Sequence, residues 1–189
     1  MRKLNVIDLD KTYITADSFK KFLLLNLTPK VVFICVLRFL GLCSKLQFAR
    51  LAHRSLFSAL HNYDKINEIA LWCQSNTDQL TVSECKKHIT GNDHFNVIVS
   101  ASPDEYVSYV ARKMGFDDGF GSKFLPDGSY LHLSGDNKEK FVLEKFSKDE
   151  FIYNLAVTDS PDEISLLSQF NFGFLYTEHL FRKIKNIKL

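Results

Sequence analysis

Leu4-Asn5-Val6-Ile7-Asp8-Leu9-Asp10-Lys11-Thr12 is an apolar run that ends on two aspartates one residue apart. Leu4 to Ile7 read as a strand, which delivers Asp8 to its carboxyl end, where open α/β sheets place their ligands. A loop leaving the strand there turns both acids toward one crevice. Carboxylates held that close repel each other unless a cation or a shared proton relieves the charge. Hard divalent ions such as magnesium prefer oxygen ligands. The pair therefore reads either as half of a metal site or as a solvated acidic turn, and the rest of the chain has to separate the two.

Working outward, helical periodicity dominates from about Ser18 to His88. Phe19, Phe22 and Leu23 lead into Leu27, and Pro29 is placed to begin the next helix. Strand character returns at Phe95-Asn96-Val97-Ile98-Val99, rich in β-branched residues. The following Ser100-Ala101-Ser102-Pro103-Asp104-Glu105 ends that strand and starts a helix. Phe120–Phe124 and Tyr130–Leu133 are weaker strand candidates, Lys138–Phe146 reads as a helix, Tyr153–Val157 as a strand and Phe172–Tyr176 as the last one. This order predicts an α/β protein with a Rossmann-like, mostly parallel sheet covered by helices. Residues 1–16 and 84–189 form its core, and residues 17–83 form a helical insertion. Leaving just after the acidic loop, the insertion covers the crevice, as a cap that excludes water and selects substrate.

Composition narrows the partners. An apolar fraction of 46% argues against disorder, and a net charge of +2 from nearly balanced acids and bases gives no reason to expect nucleic acid. Cys35, Cys43, Cys73 and Cys85 form no C-x-x-C pair, and without a signal peptide they read as reduced thiols in the cytoplasm. The run Val31–Cys43 carries one charge, Arg38, and falls short of the ~20 apolar residues a membrane span needs. It predicts a buried helix of the insertion. The alternative is an interfacial element whose Lys30, Arg38 and Lys45 meet anionic headgroups, a peripheral contact at most. The basic stretch Arg182–Lys188 reads as a solubilising C-terminus.

Four strand ends or helix starts offer polar groups to one crevice. Asp8 and Asp10 come first, then Ser100 with the free amides of Ala101 and Ser102, which together suit an anion. The turn Gly135-Asp136-Asn137-Lys138 brings a lysine, and Thr158-Asp159-Ser160-Pro161-Asp162-Glu163 brings a second acidic cluster. Acids from the first and last clusters can hold a divalent metal while Ser100 and Lys138 hold an anion's oxygens, which is what phosphoryl transfer requires. Each piece alone has a plainer reading. Ser102 and Glu105 have capping-box spacing, Lys138 belongs to a charged helix, and Asp162 and Glu163 are ordinary first-turn acids.

In this order the four motifs resemble those of the haloacid dehalogenase superfamily, in the phosphoserine phosphatase-like branch (subfamily IB) that carries a helical C1-type cap after the first motif. Asp8-Leu9-Asp10-Lys11-Thr12 resembles the D-x-D-x-T signature, with Lys11 where glycine is common. Ser100 falls on the serine or threonine of the second motif, Lys138 on the lysine motif with Lys140 as runner-up, and Asp159 on the fourth. That fourth motif, usually G-D-S-x-x-D, departs here: Thr158 stands for glycine, and Glu163 holds the distal aspartate position with Asp162 one residue early. The resemblance implies a magnesium-dependent phosphomonoester hydrolase. Asp8 is then the nucleophile, Asp10 the general acid and base, and Ser100 and Lys138 the phosphoryl ligands. Mg2+ is held by Asp8, Asp10 and Asp159, with Asp162 or Glu163 in support. Asp17, Ser102 and Arg54, the last in a cluster with Arg50 and His53, are candidate substrate contacts. The partner is a phosphorylated small molecule or, given the apolar Val31–Cys43, a lipid phosphate. A degenerate binding or scaffold protein is the alternative that Thr158 and Glu163 raise.

Overall fold

The computed structural model describes residues 1–177 and 179–184. Strand β1 (Arg2–Ile7) is followed by a single π-turn and then six helices: α1 (Ser18–Leu25), α2 (Pro29–Phe39), α3 (Lys45–Ser55), α4 (Phe57–Leu60), α5 (Tyr63–Ser75) and α6 (Gln79–His88). The chain then alternates through β2 (His94–Pro103), α7 (Asp104–Lys113), β3 (Asp118–Phe124), β4 (Tyr130–Leu131), α8 (Asp136–Lys145), β5 (Phe151–Thr158), α9 (Ile164–Ser168), β6 (Phe172–Thr177) and β7 (Leu180–Ile184). The sheet order is β4-β3-β2-β1-β5-β6-β7. Pairing is parallel from β3 through β6 and antiparallel at both edges. This is the α/β, mostly parallel architecture expected.

Strand β1 is central, and helices cover the sheet on both faces. Leu4 and Val6 pack on one side with Val97, Val99, Val142 and Phe170, whereas Ile7 packs on the other with Phe22, Ile69, Tyr106 and Val107. A strand buried on both faces needs an apolar residue at nearly every position. Asn5 is the exception, and its amide is satisfied across the sheet: it donates to Asn96 Oδ1 at 2.8 Å and accepts from Asn154 Nδ2 at 2.7 Å. Unpaired, such an amide would be costly there.

The inserted helices begin where their caps place them. Asp17 accepts from Lys20 N at the start of α1, Thr28 with Pro29 opens α2, and Ser44 with Gln47 forms a reciprocal capping box on α3. The insertion does not stand apart from the sheet. Helix α5 joins the core beside α7, and α6 runs through the boundary expected at residue 83, with Cys85 buried in the same cluster.

Two expectations change. Helix α2 is fully buried only at Val31 and Ile34, so the apolar run is not a buried helix; Val32, Phe33, Val36 and Phe39 are exposed. A seventh strand follows Phe172–Thr177, and Arg182, Lys183 and Ile184 pair in it rather than forming a free basic tail; residues 185–189 lie outside the described residues. Among the described residues, no helix is long and apolar enough to cross a membrane.

Candidate active site

The parallel strands β1, β2 and β5 end side by side, and each hands a polar residue to one crevice of about 480 Å³. At the end of β1 the chain enters the π-turn Leu9–Tyr13. Asp8 Oδ1 accepts from Leu9 N at 2.9 Å, and Lys11 takes φ 55°, in the left-handed region. Glycine occupies such a conformation without strain and lysine does not. The structure thus supplies the reason that glycine is usual where Lys11 stands. The Lys11 side chain lines the crevice and lies close enough to Asp159 to pull that carboxyl's pKa down, against a larger upward push from burial.

Asp10 is held by three donors. Ser102 Oγ donates at 2.6 Å and Ser100 Oγ at 3.3 Å to one oxygen, and Ser18 N donates at 2.5 Å to the other. Burial nevertheless raises its pKa, with the Ser102 and Ser18 hydrogen bonds acting the opposite way. Behind it, the Ser18 hydroxyl meets Ser102 Oγ at 3.3 Å and Tyr106 Oη at 3.0 Å, closing a buried hydroxyl network. Neither Ser18 nor Tyr106 was legible as a site residue; their shared signal is only that both lie in the first turn of a helix next to a motif.

Lys138 is fully buried. Gly135, at φ 56°, turns the chain into α8 so that the lysine lies within its first turn. The ammonium sits 3.1 Å from Asp8 Oδ1 and 2.8 Å from Glu163 Oε2. Burial alone would lower its pKa, but the two carboxylates beside it raise it instead. On Asp8, burial outweighs Lys138, and the carboxyl is pushed up to about 8. Lys140 is exposed and pairs with Glu144, so the lysine that reaches the crevice is Lys138.

The departures in the fourth motif fit one another. Thr158 Oγ1 donates to Glu163 Oε2 at 2.8 Å, and Glu163, carried by the 3-10 turn Pro161–Glu163, is buried against Lys138. Asp162 is exposed and points elsewhere. Asp159 lines the same crevice as Asp8.

From the inserted helices come Asp17, Phe19, Arg38, Lys45 and Phe48. Arg54 does not line the crevice; it lies over the Phe124 ring at 5.2 Å. Its neighbour His53 is buried, within hydrogen-bond reach of Glu105 at 3.0 Å and Tyr130 at 3.2 Å, and so ties the insertion to the core. His132 and Ser134, just ahead of the lysine turn, also line the crevice. Sequence reasoning had no signal for them beyond proximity to Gly135.

No family model and no curated protein matches the chain in sequence. Solved structures match it in fold. The HAD family hydrolase t0658 from Salmonella enterica subsp. enterica serovar Typhi superposes with a TM-score of 0.59 at 14% identity, over 90% of this chain and 61% of that one. A phosphoserine phosphohydrolase-like protein from Francisella tularensis subsp. tularensis SCHU S4 gives 0.56 at 20% identity, over 95% and 89%. A probable phosphoserine phosphatase from Vibrio cholerae gives 0.54 at 16%, over 90% and 55%. The chain has the haloacid dehalogenase fold, in its phosphoserine phosphatase-like form. It spans about three fifths of the Salmonella hydrolase, and at these identities the likeness is one of fold.

Proposed function

We propose that this chain is a magnesium-dependent phosphomonoester hydrolase that works through an aspartyl phosphate on Asp8. The observation that carries the reading is the buried Lys138 ammonium between Asp8 and Glu163, beside an Asp10 already tied by two serine hydroxyls. The donor set fits a hard cation. Asp8 and Glu163 pair with the buried Lys138 and Asp159 lies within reach of its charge, while burial disfavours ionisation of Asp8, Asp10 and Asp159 in the absence of further positive charge. Among the described residues no three His, Cys, Asp or Glu side chains form a metal cage. Magnesium needs none, since it is held by one or two carboxylates with waters and phosphate oxygens. Asp8, Asp159 and the Asp10 backbone carbonyl would hold it, and its charge would neutralise the transferring phosphoryl group.

The chain's own residues then divide the work. Asp8 Oδ1 is occupied by Leu9 N and Lys138, which leaves Oδ2 to form the bond to phosphorus as the ester P–O bond breaks. Asp10, whose pKa is raised, gives its proton to the leaving alkoxide. A water then attacks the acyl phosphate and loses its proton to Asp10, and inorganic phosphate departs with Asp8 restored. Ser100 and Lys138 hold the phosphoryl oxygens.

Residues 17–83 act as the cap. Arg38 and Lys45 beside Phe19 and Phe48 favour a leaving group with both an anionic and an apolar part, either a phosphorylated metabolite or a lipid-linked phosphate. The linked Thr158 and Glu163 weigh against a degenerate site, because the departures leave Lys138 paired. Hydrolysis of an aryl phosphate with magnesium, abolished by EDTA, tests the reading. Metal binding with no turnover across a panel of phosphate esters would overturn it.

A further inference from the structure

Helix α2 has two unlike faces. Val31 and Ile34 turn inward, and Arg38, one turn beyond Ile34, lines the crevice from that side. Val32, Phe33, Val36, Phe39 and Leu40 fall within an arc of roughly 120° on the opposite side at 3.6 residues per turn. All five are exposed, Phe33 at 61% and Phe39 at 90%. The neighbouring chain continues in kind, with Leu24 and Leu27 exposed before the helix and Leu42 and Leu46 after it. Large apolar side chains gathered on one exposed face mark an interaction site, whereas scattered ones do not.

Charge says what kind of partner fits. Residues 18–62 hold seven lysines and arginines and no aspartate or glutamate. The whole chain is +2, so the remaining residues carry −5. Lys30, Arg38, Lys45 and Arg50 are all exposed. A second copy would set this basic segment against itself, which opposes pairing. An anionic lipid surface complements both parts, since apolar side chains enter the acyl boundary while lysine and arginine stay among the headgroups. A helix of this length lies on such a surface and does not cross it.

We infer that the outer face of α2 docks this chain on an anionic membrane surface. The helix that lines the crevice with Arg38 is then the helix that touches lipid. The inference goes beyond the proposed hydrolysis and does not depend on it.

Vesicle co-sedimentation of the full chain tests it. The protein should pellet with phosphatidylcholine vesicles containing phosphatidylglycerol, far less with phosphatidylcholine alone, and less as salt rises. Phe33→Ser with Phe39→Ser should weaken partitioning by about tenfold or more. The same variant should keep its far-UV CD spectrum and its turnover of a soluble aryl phosphate. Lys30→Glu, which leaves the apolar face intact, should also weaken binding. Failure to pellet with the anionic vesicles at low salt would overturn the inference, as would undiminished binding by both variants. So would a dimer in sedimentation velocity that Phe33→Ser with Phe39→Ser dissociates, because the face would then belong to a second copy.

Discussion

Replacing Lys138 with methionine removes the cation buried in the site while keeping most of its volume. Asp8 Oδ1 and Glu163 Oε2, which lie 3.1 and 2.8 Å from the ammonium, would be left facing one another without a counterion. Removing one partner from a buried ion pair costs about 3–5 kcal/mol. At about 2–4 °C per kcal/mol for a chain of this size, the melting temperature should fall by roughly 6–20 °C. The loss has a pH signature. Without Lys138 the Asp8 carboxyl is pushed further up, so the variant keeps its proton where the parent gives it up, and the deficit should grow as pH rises through and above about 8. Scanning calorimetry of metal-free protein across that range measures both effects. Glu163→Gln added to Lys138→Met removes one of the unpaired charges and should recover about 1–3 kcal/mol as a coupling term. A Lys138→Met protein that melts within about 2 °C of the parent at neutral pH, or whose deficit ignores pH, would refute the claim that Lys138 holds two buried carboxylates together.

Further outcomes follow from the same geometry. Asp8→Asn should lower aryl phosphate turnover by about 10³-fold or more with an unchanged CD spectrum; retention of a large part of the parent rate would exclude Asp8 as nucleophile. Because the folded Asp8 carboxyl is pushed up to about 8, above its unfolded value, metal-free protein should lose stability as pH rises through that window. Magnesium must displace the Asp8 proton, so its thermal protection should be small near pH 6 and grow through about pH 8; equal protection at both would count against Asp8 as a ligand. Lys11→Gly relieves a left-handed lysine and should raise stability by about 1 kcal/mol, read as a melting temperature about 2–4 °C higher, whereas a clear fall would mean the Lys11 charge outweighs its strain.

The succession of strands and helices along the chain and the positions of Asp8, Ser100, Lys138 and Asp159 were legible because they rest on local signals: β-branched or apolar runs that stop at polar residues, and for Lys138 a glycine turn that opens a helix. Orientation was less so. Asp162 and Glu163 are adjacent in sequence, yet a 3-10 turn points one to solvent and buries the other, and no composition argument separates them. Val31–Cys43 reads as uniformly apolar, but burial depends on what stands opposite, and only the Val31–Ile34 side has a neighbour. Arg54 and Arg38 are equally plausible anion contacts by residue type. Arg38 lines the crevice and Arg54 rests on Phe124, and which helix faces the sheet is a tertiary fact. β7 went unread because Leu180–Ile184 groups its apolar and basic residues in adjacent pairs and so lacks the period-two alternation that marks a strand; it lies at the sheet edge and is largely exposed.

The Thr158 hydroxyl and the Glu163 carboxylate also bear on how this site can change over generations. Exchanging Thr158 alone for glycine would strip a donor from a carboxylate that has no exposed surface on which to find water. Shortening Glu163 alone to aspartate would draw its oxygens back from both Thr158 and Lys138. Each single step passes through a poorer protein, and only the double change arrives at another satisfied arrangement. The two positions are therefore epistatic, and descendants of this chain should carry threonine with glutamate or lose both together.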